Sequence, residues 1–320
     1  MNRLLEILQD GRFHSGQELG AALGISRSAV WKHLQRLEVS LGLQLYKVPG
    51  RGYRLAESIS LFDIARNTKA LKQLDWGLRV MGSADSTNAE ALRMLLAGTQ
   101  APFVVLAEAQ THGRGRRGRA WVSPPAQNLY YTLALTMSGG PQRLAGLSLV
   151  VGLAVMQTLR QMGVKQAGVK WPNDIYANGK KIAGILMELT GDPADLCHLA
   201  IGIGINVNMT TSAVEIEQAW TSMRNETSVL VDRNELVRAL SHSLHHYLRR
   251  HVEEGFGGLR AEWEACNIWH AQHCCLSTGS QQVRGLVIGV DDQGALRLKV
   301  DGQERHFSGG ELSLRLEDDS

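Results

Sequence analysis

Residues 110–121 read Gln-Thr-His-Gly-Arg-Gly-Arg-Arg-Gly-Arg-Ala-Trp, and the segment Gly113–Arg119 within them alternates three glycines with four arginines. Glycine permits positive φ angles and a close approach of the backbone to a ligand. Arginine supplies a planar set of donors that matches phosphate and carboxylate groups. The segment therefore predicts a loop that closes over an anion in a catalytic site and does not hold one shape without it.

Three other interpretations of this segment stay open. Gly113, Gly115 and Gly118 fit the dinucleotide pattern Gly-x-Gly-x-x-Gly, which needs a strand before it and a helix after it. A strand is predicted at 103–110, but the proline pair at 124–125 does not open a crossover helix. The other two interpretations are a nucleic-acid contact, which a run of like charge permits, and a solvated loop.

The composition is that of a globular protein. With 320 residues, 44% hydrophobic and 20% charged, the chain is long enough for two or three domains that each bury a core. No apolar run approaches the ~20 residues of a membrane span, and the start has no signal-peptide core. We therefore expect a cytoplasmic protein without a membrane partner. No disulfide spacing is present among the cysteines, which are Cys197, Cys266, Cys274 and Cys275.

The N-terminal residues predict a winged helix-turn-helix. The capping box Ser15-Gly-Gln-Glu18 opens a helix that Gly24 ends, and Ser26 caps a second helix over 27–38. A hairpin with a glycine-rich tip follows at 43–55 and forms the wing. A small helical module that binds protein is the alternative.

The charge distribution favours DNA as the partner of this segment. Residues 1–56 hold eight basic and four acidic side chains, a net +4, whereas the remaining 26 basic and 27 acidic residues give −1. Side chains at the start of the second helix would read bases, and the lysines and the other arginines would set affinity through phosphates. The predicted DNA-contacting residues are Ser26, Arg27, Ser28, Trp31, Lys32, Lys47 and Arg51.

Strand and helix signals alternate through the central region. Asp85-Ser-Thr-Asn88 precedes a helix predicted over 89–97, and its hydroxyl and amide groups suit a polar ligand, although the same residues fit an ordinary N-cap. A strand predicted over 169–176 is broken by Pro172, which leaves Asn173 and Asp174 at an irregular, exposed position.

A hairpin is predicted next. Asn178-Gly179 is typical of a type I′ turn, and Lys180–Leu189 after it is predicted as a buried strand with lysine at its mouth. Its expected neighbour is the strand 199–207, in which Gly202 and Gly204 permit the close approach of a ligand or a backbone.

The C-terminal residues predict a small antiparallel barrel, with strands over 283–290, 295–300 and 304–307. We place a linker at Glu57-Ser-Ile-Ser60. The spacing in His270-Ala-Gln-His-Cys-Cys275 fits no structural zinc pattern, and we expect no metal site in the protein. The predicted domains are 1–60, 61–270 and 271–320.

Four motifs in the central region, taken in register, resemble the biotin–protein ligase family. They are Gly113-Arg-Gly-Arg-Arg-Gly-Arg-Ala-Trp121, Lys170-Trp-Pro-Asn-Asp174, Lys181-Ile-Ala-Gly-Ile-Leu186 and Gly202-Ile-Gly-Ile-Asn206. With the N-terminal domain, the resemblance extends over essentially the full length to members that also repress the biotin operon. It implies an α+β multidomain fold with an N-terminal winged helix-turn-helix, a central mixed-sheet α/β catalytic domain similar to class II synthetases, and a C-terminal SH3-like β-barrel.

The resemblance implies an enzyme that joins biotin to ATP and transfers biotin from biotinyl-5′-adenylate to a lysine of biotin carboxyl carrier protein. Mg²⁺ is expected with ATP. Lys181 and Arg116 would be catalytic, and Asp174 would act at the acceptor-lysine step or through a metal. The implied biotin-binding residues are Ser86, Thr87, Asn88, Gln110, Arg114, Gly115, Arg116 and Lys181. The implied nucleotide-binding residues are Arg116, Arg117, Arg119, Asn173, Asp174, Asn206 and Trp220.

The implied partners are the carrier protein of acetyl-CoA carboxylase, operator DNA and a second copy of the chain. The adenylate, as corepressor, would promote dimerisation through the central sheet and repression of biotin biosynthesis genes. Two alternatives stay open: a biotin-sensing repressor without catalysis, and a ligase for another carboxylate such as lipoate or octanoate.

Overall fold

The computed structural model describes residues 2–41, 43–56, 58–138, 140–192, 196–212, 214–278, 281–308 and 312–316. Their strands form three sheets, one for each predicted domain. The boundaries at residues 60 and 270 stay predictions, and Glu57 of the predicted linker lies outside the described residues.

The predicted N-terminal helices and hairpin are present, and the residues that cap the helices act as predicted. Ser15 Oγ accepts from the Glu18 backbone N–H at 3.1 Å, the Glu18 carboxylate accepts from the Ser15 N–H at 2.8 Å, and Gly24 ends the helix at φ 67°. The helix predicted over 27–38 continues to Leu41, three residues beyond its predicted end. The elements are α1 (Asn2–Leu8), α2 (Gly16–Leu23), α3 (Arg27–Leu41), β1 (Leu45–Val48) and β2 (Gly52–Leu55).

The central sheet is mixed, as the resemblance implies. Its strand order is β3-β4-β5-β9-β8-β7-β6, in which β3 and β4 are parallel and the other neighbours antiparallel. Its elements are α4 (Ile64–Lys72), β3 (Gly77–Met81), α5 (Thr87–Leu96), β4 (Phe103–Ala107), β5 (Leu129–Ser138), α6 (Leu147–Gln161), β6 (Ala167–Lys170), β7 (Asp174–Ala177), β8 (Lys180–Gly191), β9 (Leu196–Ile205), α7 (Met223–Thr227), α8 (Arg233–Glu254) and α9 (Arg260–Cys266).

The prediction of one broken strand over 169–176 is wrong. Pro172 lies in a turn that reverses the chain, so β6 and β7 pair antiparallel, with Lys170 opposite Asp174. The turn leaves Asn173 and Asp174 partly buried instead of exposed. The hairpin between β7 and β8 is confirmed, with φ 49° at Asn178 and 75° at Gly179, as a type I′ turn requires.

The two faces of the central sheet are covered differently. One face packs on α6 and α8 through the main hydrophobic core, which includes Leu133, Ile185 and Ile203. The opposite face carries a smaller cluster under α5 and, beside it, the glycines of β8 and β9. Since side chains alternate along a strand, this second face leaves room for a ligand next to α5.

The expectation that no apolar run approaches the length of a membrane span is wrong. Residues 142–161 are long and apolar enough to meet that criterion. In the structure α6 lies in the core: its central residues from Leu149 to Met156 are buried, and it packs against α8. A buried core helix meets the same length and composition criteria as a span.

The predicted antiparallel C-terminal domain is confirmed, with two strands that the sequence did not identify, the first and the last. The described strand order is β13-β12-β11-β10-β14. The elements are β10 (His273–Thr278), β11 (Gln281–Val290), β12 (Leu296–Val300), β13 (Gln303–Phe307) and β14 (Leu312–Leu316).

Candidate active site

Hydroxyl and amide side chains meet at the start of α5. The side-chain amide oxygen of Gln110, Oε1, accepts from the backbone N–H of Thr87 at 2.9 Å and from its hydroxyl at 3.2 Å. Thr132 on β5 donates to Asn88 Oδ1 at 2.7 Å and lies 2.8 Å from the Thr87 hydroxyl. We call Thr87, Asn88, Gln110 and Thr132 the amide cluster. Because these groups fix each other's orientation, they form a preorganised polar recognition surface.

Asn88 joins the amide cluster to the sheet. Its amide nitrogen donates to the Leu186 carbonyl at 3.0 Å and to the Glu188 carboxylate at 2.8 Å, both on β8. A Cβ added at Gly202 would lie 2.3 Å from Asn88 Oδ1, so only glycine lets this side chain lie against the sheet. Arg114 donates to the other Glu188 oxygen at 3.2 Å and connects the arginine segment to the same point.

The arginine segment is folded as a short closed loop. Arg114 pairs with Ala120, and the Gly115 N–H donates to the Arg119 carbonyl at 2.7 Å. Arg117 has a φ of 59° and Gly118 one of 70°, and these left-handed values tighten the loop. The helix that a dinucleotide-binding motif requires does not follow, since residues 121–124 lack regular structure.

Trp121, directly after this loop, lies on the open face of the sheet. A Cβ at Gly204 would come within 2.5 Å of its indole ring, and one at Gly184 within 3.3 Å. Ser123 connects the ring's segment to the amide cluster, because it donates to the Trp121 carbonyl at 2.9 Å and accepts from Gln110 at 3.1 Å. The indole is therefore an apolar surface beside the amide cluster.

Arg116 points into the protein. Its guanidinium donates to Asn173 Oδ1 at 3.0 Å and to the Leu312 carbonyl of the C-terminal domain at 3.2 Å. Burial lowers the pKa of Arg116, the nearby Asp174 opposes that shift, and Arg117 and Arg119 add to it. Arg117 and Arg119 themselves are exposed. The loop thus directs Arg116 inward and leaves its other three arginines, including Arg114, exposed.

Lys181 provides a second inward cation. Its ammonium lies 2.7 Å from Asp174 Oδ1, with the two side chains 19% and 15% exposed, and 5.6 Å from the centre of the Trp121 ring. We call Arg116, Lys181 and Asp174 the cation cluster. Because Trp121 adjoins both clusters, the amide cluster, the indole and the cation cluster follow one another along the open face, and we call this surface the trough. Such a trough suits an elongated ligand with a polar, uncharged end and an anionic end.

Residues 219–221 lie along Lys181. The Lys181 N–H donates to the Ala219 carbonyl at 3.0 Å, and the Thr221 N–H donates to the Lys181 carbonyl at 2.9 Å, which places Trp220 beside the cation cluster. Asn206 holds the same segment, since its amide donates to the Thr221 carbonyl at 3.0 Å. Within the described part of the chain, no three metal-ligating side chains converge.

The structure brings most of the predicted ligand residues together, and it adds three that the sequence analysis missed. Ser86 is buried at the N-cap of α5, and Gly115 is held within the loop. The missed residues are Trp121, Thr132 and Glu188. Glu188 could have been identified from the sequence, because an acidic side chain within an apolar strand needs a polar partner. Nothing in the sequence distinguished Thr132 from the other residues of its strand.

The predicted DNA-contacting side chains share the outer surface of the N-terminal domain. Ser26 also caps α3, since its hydroxyl accepts from the Ala29 N–H at 3.2 Å. On the wing, Lys47 lies 2.6 Å from the Glu38 carboxylate, and the Arg51 guanidinium lies 4.4 Å from the Phe13 ring centre. Exposed side chains on the outer face of α3 are Arg27, Ser28, Trp31 and Lys32.

Comparison with known proteins agrees with this organisation. Three family profiles match in chain order: an HTH domain over residues 1–54, the Biotin/lipoate A/B protein ligase family over 80–206, and the Biotin protein ligase C terminal domain over 272–315. A solved biotin protein ligase from Aquifex aeolicus, in complex with biotin and ATP, superposes with a TM-score of 0.67. It is 29% identical and covers 75% of this chain and 99% of its own.

Two curated relatives match nearly the whole chain. The bifunctional ligase/repressor BirA of Salmonella typhimurium is 39% identical over 98% of this chain and 96% of its own length. The bifunctional ligase/repressor BirA of Escherichia coli is 38% identical over the same shares. Identity at this level across both chains, with all three profiles in order, shows that the chain belongs to the biotin protein ligase family, among its bifunctional ligase/repressor members.

Proposed function

We propose that the chain ligates biotin in two steps. In the first, a carboxylate oxygen of biotin attacks the α-phosphorus of ATP, and the bond to the leaving pyrophosphate breaks. In the second, a deprotonated lysine amine of the carrier protein attacks the acyl carbon of biotinyl-5′-adenylate, and AMP leaves as the amide forms. The observation that carries this proposal is the single trough that joins the amide cluster to the cation cluster.

The trough matches the chemistry of the first step. The neutral ureido ring of biotin has donors and an acceptor that suit Thr87, Asn88 and Gln110, and its apolar body suits Trp121. The carboxylate would then extend toward Lys181 and Arg116, which screen its repulsion from the α-phosphate and stabilise the charge that develops there. The other residues proposed to bind biotin are Ser86, Arg114 and Gly115.

The nucleotide would occupy the cationic end of the trough. Arg116 and Lys181 already approach the turn that carries Asn173 and Asp174, and Trp220 offers an aromatic surface for adenine. The remaining residues proposed to bind the nucleotide are Arg117, Arg119 and Asn206. Mg²⁺ would enter as part of the ATP substrate, and Asp174 is the carboxylate that the cation cluster offers it; we infer no resident metal.

We also propose that the chain represses transcription as a dimer in the cytoplasm. Biotinyl-adenylate would order the arginine loop and promote dimerisation through the central sheet, so that two winged helices read a palindromic operator upstream of biotin biosynthesis genes. The HTH profile and the exposed basic face of α3 support a DNA partner. Operator binding with and without the adenylate, measured beside sedimentation of the complex, tests this part.

The ligase proposal is tested with the full chain, ATP and biotin, by measuring pyrophosphate release, and then by the intact mass of a carrier domain after incubation. Biotin-dependent release and the addition of one biotinyl group to the carrier support it. Biotin binding without pyrophosphate release would favour the non-catalytic sensor. Faster release with lipoate or octanoate than with biotin would favour a ligase for another carboxylate.

A further inference from the structure

Lys170, at the end of β6, is a buried lysine in an aromatic cage. Its ammonium lies 4.1 Å from the centre of the Trp269 ring and 4.9 Å from that of the Tyr176 ring, and the side chain is 8% exposed. Burial lowers the pKa of Lys170 to about 8, against the attraction of Asp174 and Cys274 and with the repulsion of Lys181 and Arg119. Burying a cation costs desolvation free energy, so packing alone does not explain a lysine at this position.

The ammonium is directed at one hydroxyl. Lys170 Nζ donates to the Tyr176 hydroxyl oxygen at 3.2 Å. The same oxygen accepts from the side-chain amide of Gln218, which belongs to a different part of the chain. Tyr176 is buried, and its ring packs at 6.3 Å against Trp269, so the hydroxyl has a fixed position. Lys170 and Gln218 are therefore held through a single atom of Tyr176.

Gln218 immediately precedes the segment at the cation cluster. Residues 219 and 221 make the two backbone hydrogen bonds to Lys181, and Trp220 lies between them. A shift of Gln218 would move this segment along β8 and change the surface offered to the nucleotide. The amide cluster lies on the far side of Trp121 and makes no described contact with Tyr176 or Gln218.

We propose that Lys170 is a positioning residue for ligation: through the Tyr176 hydroxyl it fixes Gln218, and with it the segment 219–221 that faces the nucleotide beside Lys181. This inference rests on the proposed function. It assigns to the lysine of the Lys170-Trp-Pro-Asn-Asp174 motif a role in nucleotide use and none in biotin recognition.

The experiment compares Lys170→Met, Tyr176→Phe, the double variant and Tyr247→Phe in the full chain. Tyr247→Phe is the matched control, since it removes another largely buried hydroxyl, one that donates to Glu262 on α9 away from the trough. For each protein, KM for ATP and kcat come from biotin-dependent pyrophosphate release, and the Kd for biotin comes from calorimetry without ATP. Tyr176→Phe keeps the ring and its packing, so it preserves the fold.

We expect Tyr176→Phe and Lys170→Met each to raise KM for ATP by about tenfold, the size of one lost hydrogen bond, with the Kd for biotin within about twofold of the original. The double variant should be no worse than Lys170→Met alone, because both changes remove the same connection. Tyr247→Phe should leave KM for ATP unchanged.

Equal losses of biotin and ATP affinity, or additive effects in the double variant, would overturn the inference. An unchanged KM for ATP in Tyr176→Phe would overturn it as well. A wild-type chain that releases no pyrophosphate with biotin would instead contradict the proposed function, so the two failures are distinguishable.

Discussion

Replacing Lys181 by methionine is the most informative perturbation of the cation cluster. The ammonium lies 2.7 Å from Asp174, and both side chains are more than four-fifths buried. At an effective dielectric constant of about 20, unit charges this close interact by about 6 kcal/mol, part of which offsets their desolvation. Loss of one preorganised cation that stabilises developing charge lowers kcat by a factor of about 100 to 1,000.

We therefore expect Lys181→Met to lower the kcat of biotin-dependent pyrophosphate release by about 100-fold or more. The Kd for biotin should change by less than about tenfold, because most of its proposed contacts lie in the amide cluster. Single-turnover pyrophosphate release and calorimetry measure the two quantities separately.

Adding Asp174→Asn to Lys181→Met distinguishes the catalytic effect of losing Lys181 from the effect of losing its ion pair with Asp174. Lys181→Met removes the ion-pair partner of the Asp174 carboxylate, which should lower the free energy of unfolding by about 1–3 kcal/mol, and Asp174→Asn in the same chain should restore much of it. The rate should stay low in the double variant. A rate that recovers with Asp174→Asn, or equal losses in biotin binding and in kcat, would refute the reasoning.

Three further predictions concern the loop, the sheet and pH. Arg116→Gly removes an inward donor and should speed dissociation of biotinyl-adenylate by about tenfold or more, measured by stopped-flow fluorescence. Gly202→Ala places a Cβ 2.3 Å from Asn88 Oδ1 and should weaken biotin binding by about tenfold, measured by calorimetry. Between pH 8 and 10.5 the unfolded chain binds a proton that folded Lys170 does not, so stability relative to Lys170→Met should rise by about 2 kcal/mol from pH 7.5 to 10, measured by urea unfolding.

Each of these has a contrary outcome. If biotinyl-adenylate dissociates from Arg116→Gly at the original rate, its phosphate does not lie against the loop. Biotin affinity maintained in Gly202→Ala would mean that Asn88 is not a ligand. Gly82→Ala serves as the control, because a Cβ added at Gly82 meets no atom within 4 Å and its φ is not in the left-handed region. A gap between wild type and Lys170→Met that does not vary with pH would mean that folded Lys170 titrates as an ordinary lysine.

The local signals in the sequence predicted the local structure well. The capping box at Ser15, the glycine at Gly24 and the Asn178-Gly179 turn depend on neighbouring residues alone, and each formed as predicted. The order of the four family motifs also predicted which residues would converge at the trough. These features need no knowledge of how distant segments pack.

Contacts between distant segments could not be predicted in this way. The apolar run at 142–161 also has the composition of a membrane span, and its packing partner α8 could not be identified from that composition. Trp121 is seven positions from Arg114 in a loop, and its place over Gly184 and Gly204 depends on strand pairing far along the chain. The surroundings of Lys170 gave no periodic signal, because Trp269, which its ammonium faces, and Gln218, which it reaches through Tyr176, come from two other segments.

The central claim is that the trough holds biotinyl-adenylate with its acyl-phosphate bond at the cation cluster, and a crystal structure of the chain grown with biotin and ATP tests it most directly. We expect the guanidinium of Arg116 and the ammonium of Lys181 within hydrogen-bond distance of the acyl or phosphate oxygens, about 2.7–3.2 Å, and the ureido ring on Thr87, Asn88 and Gln110. An adenylate bound with both cations directed into solvent, or with its ureido ring away from the amide cluster, would contradict the account.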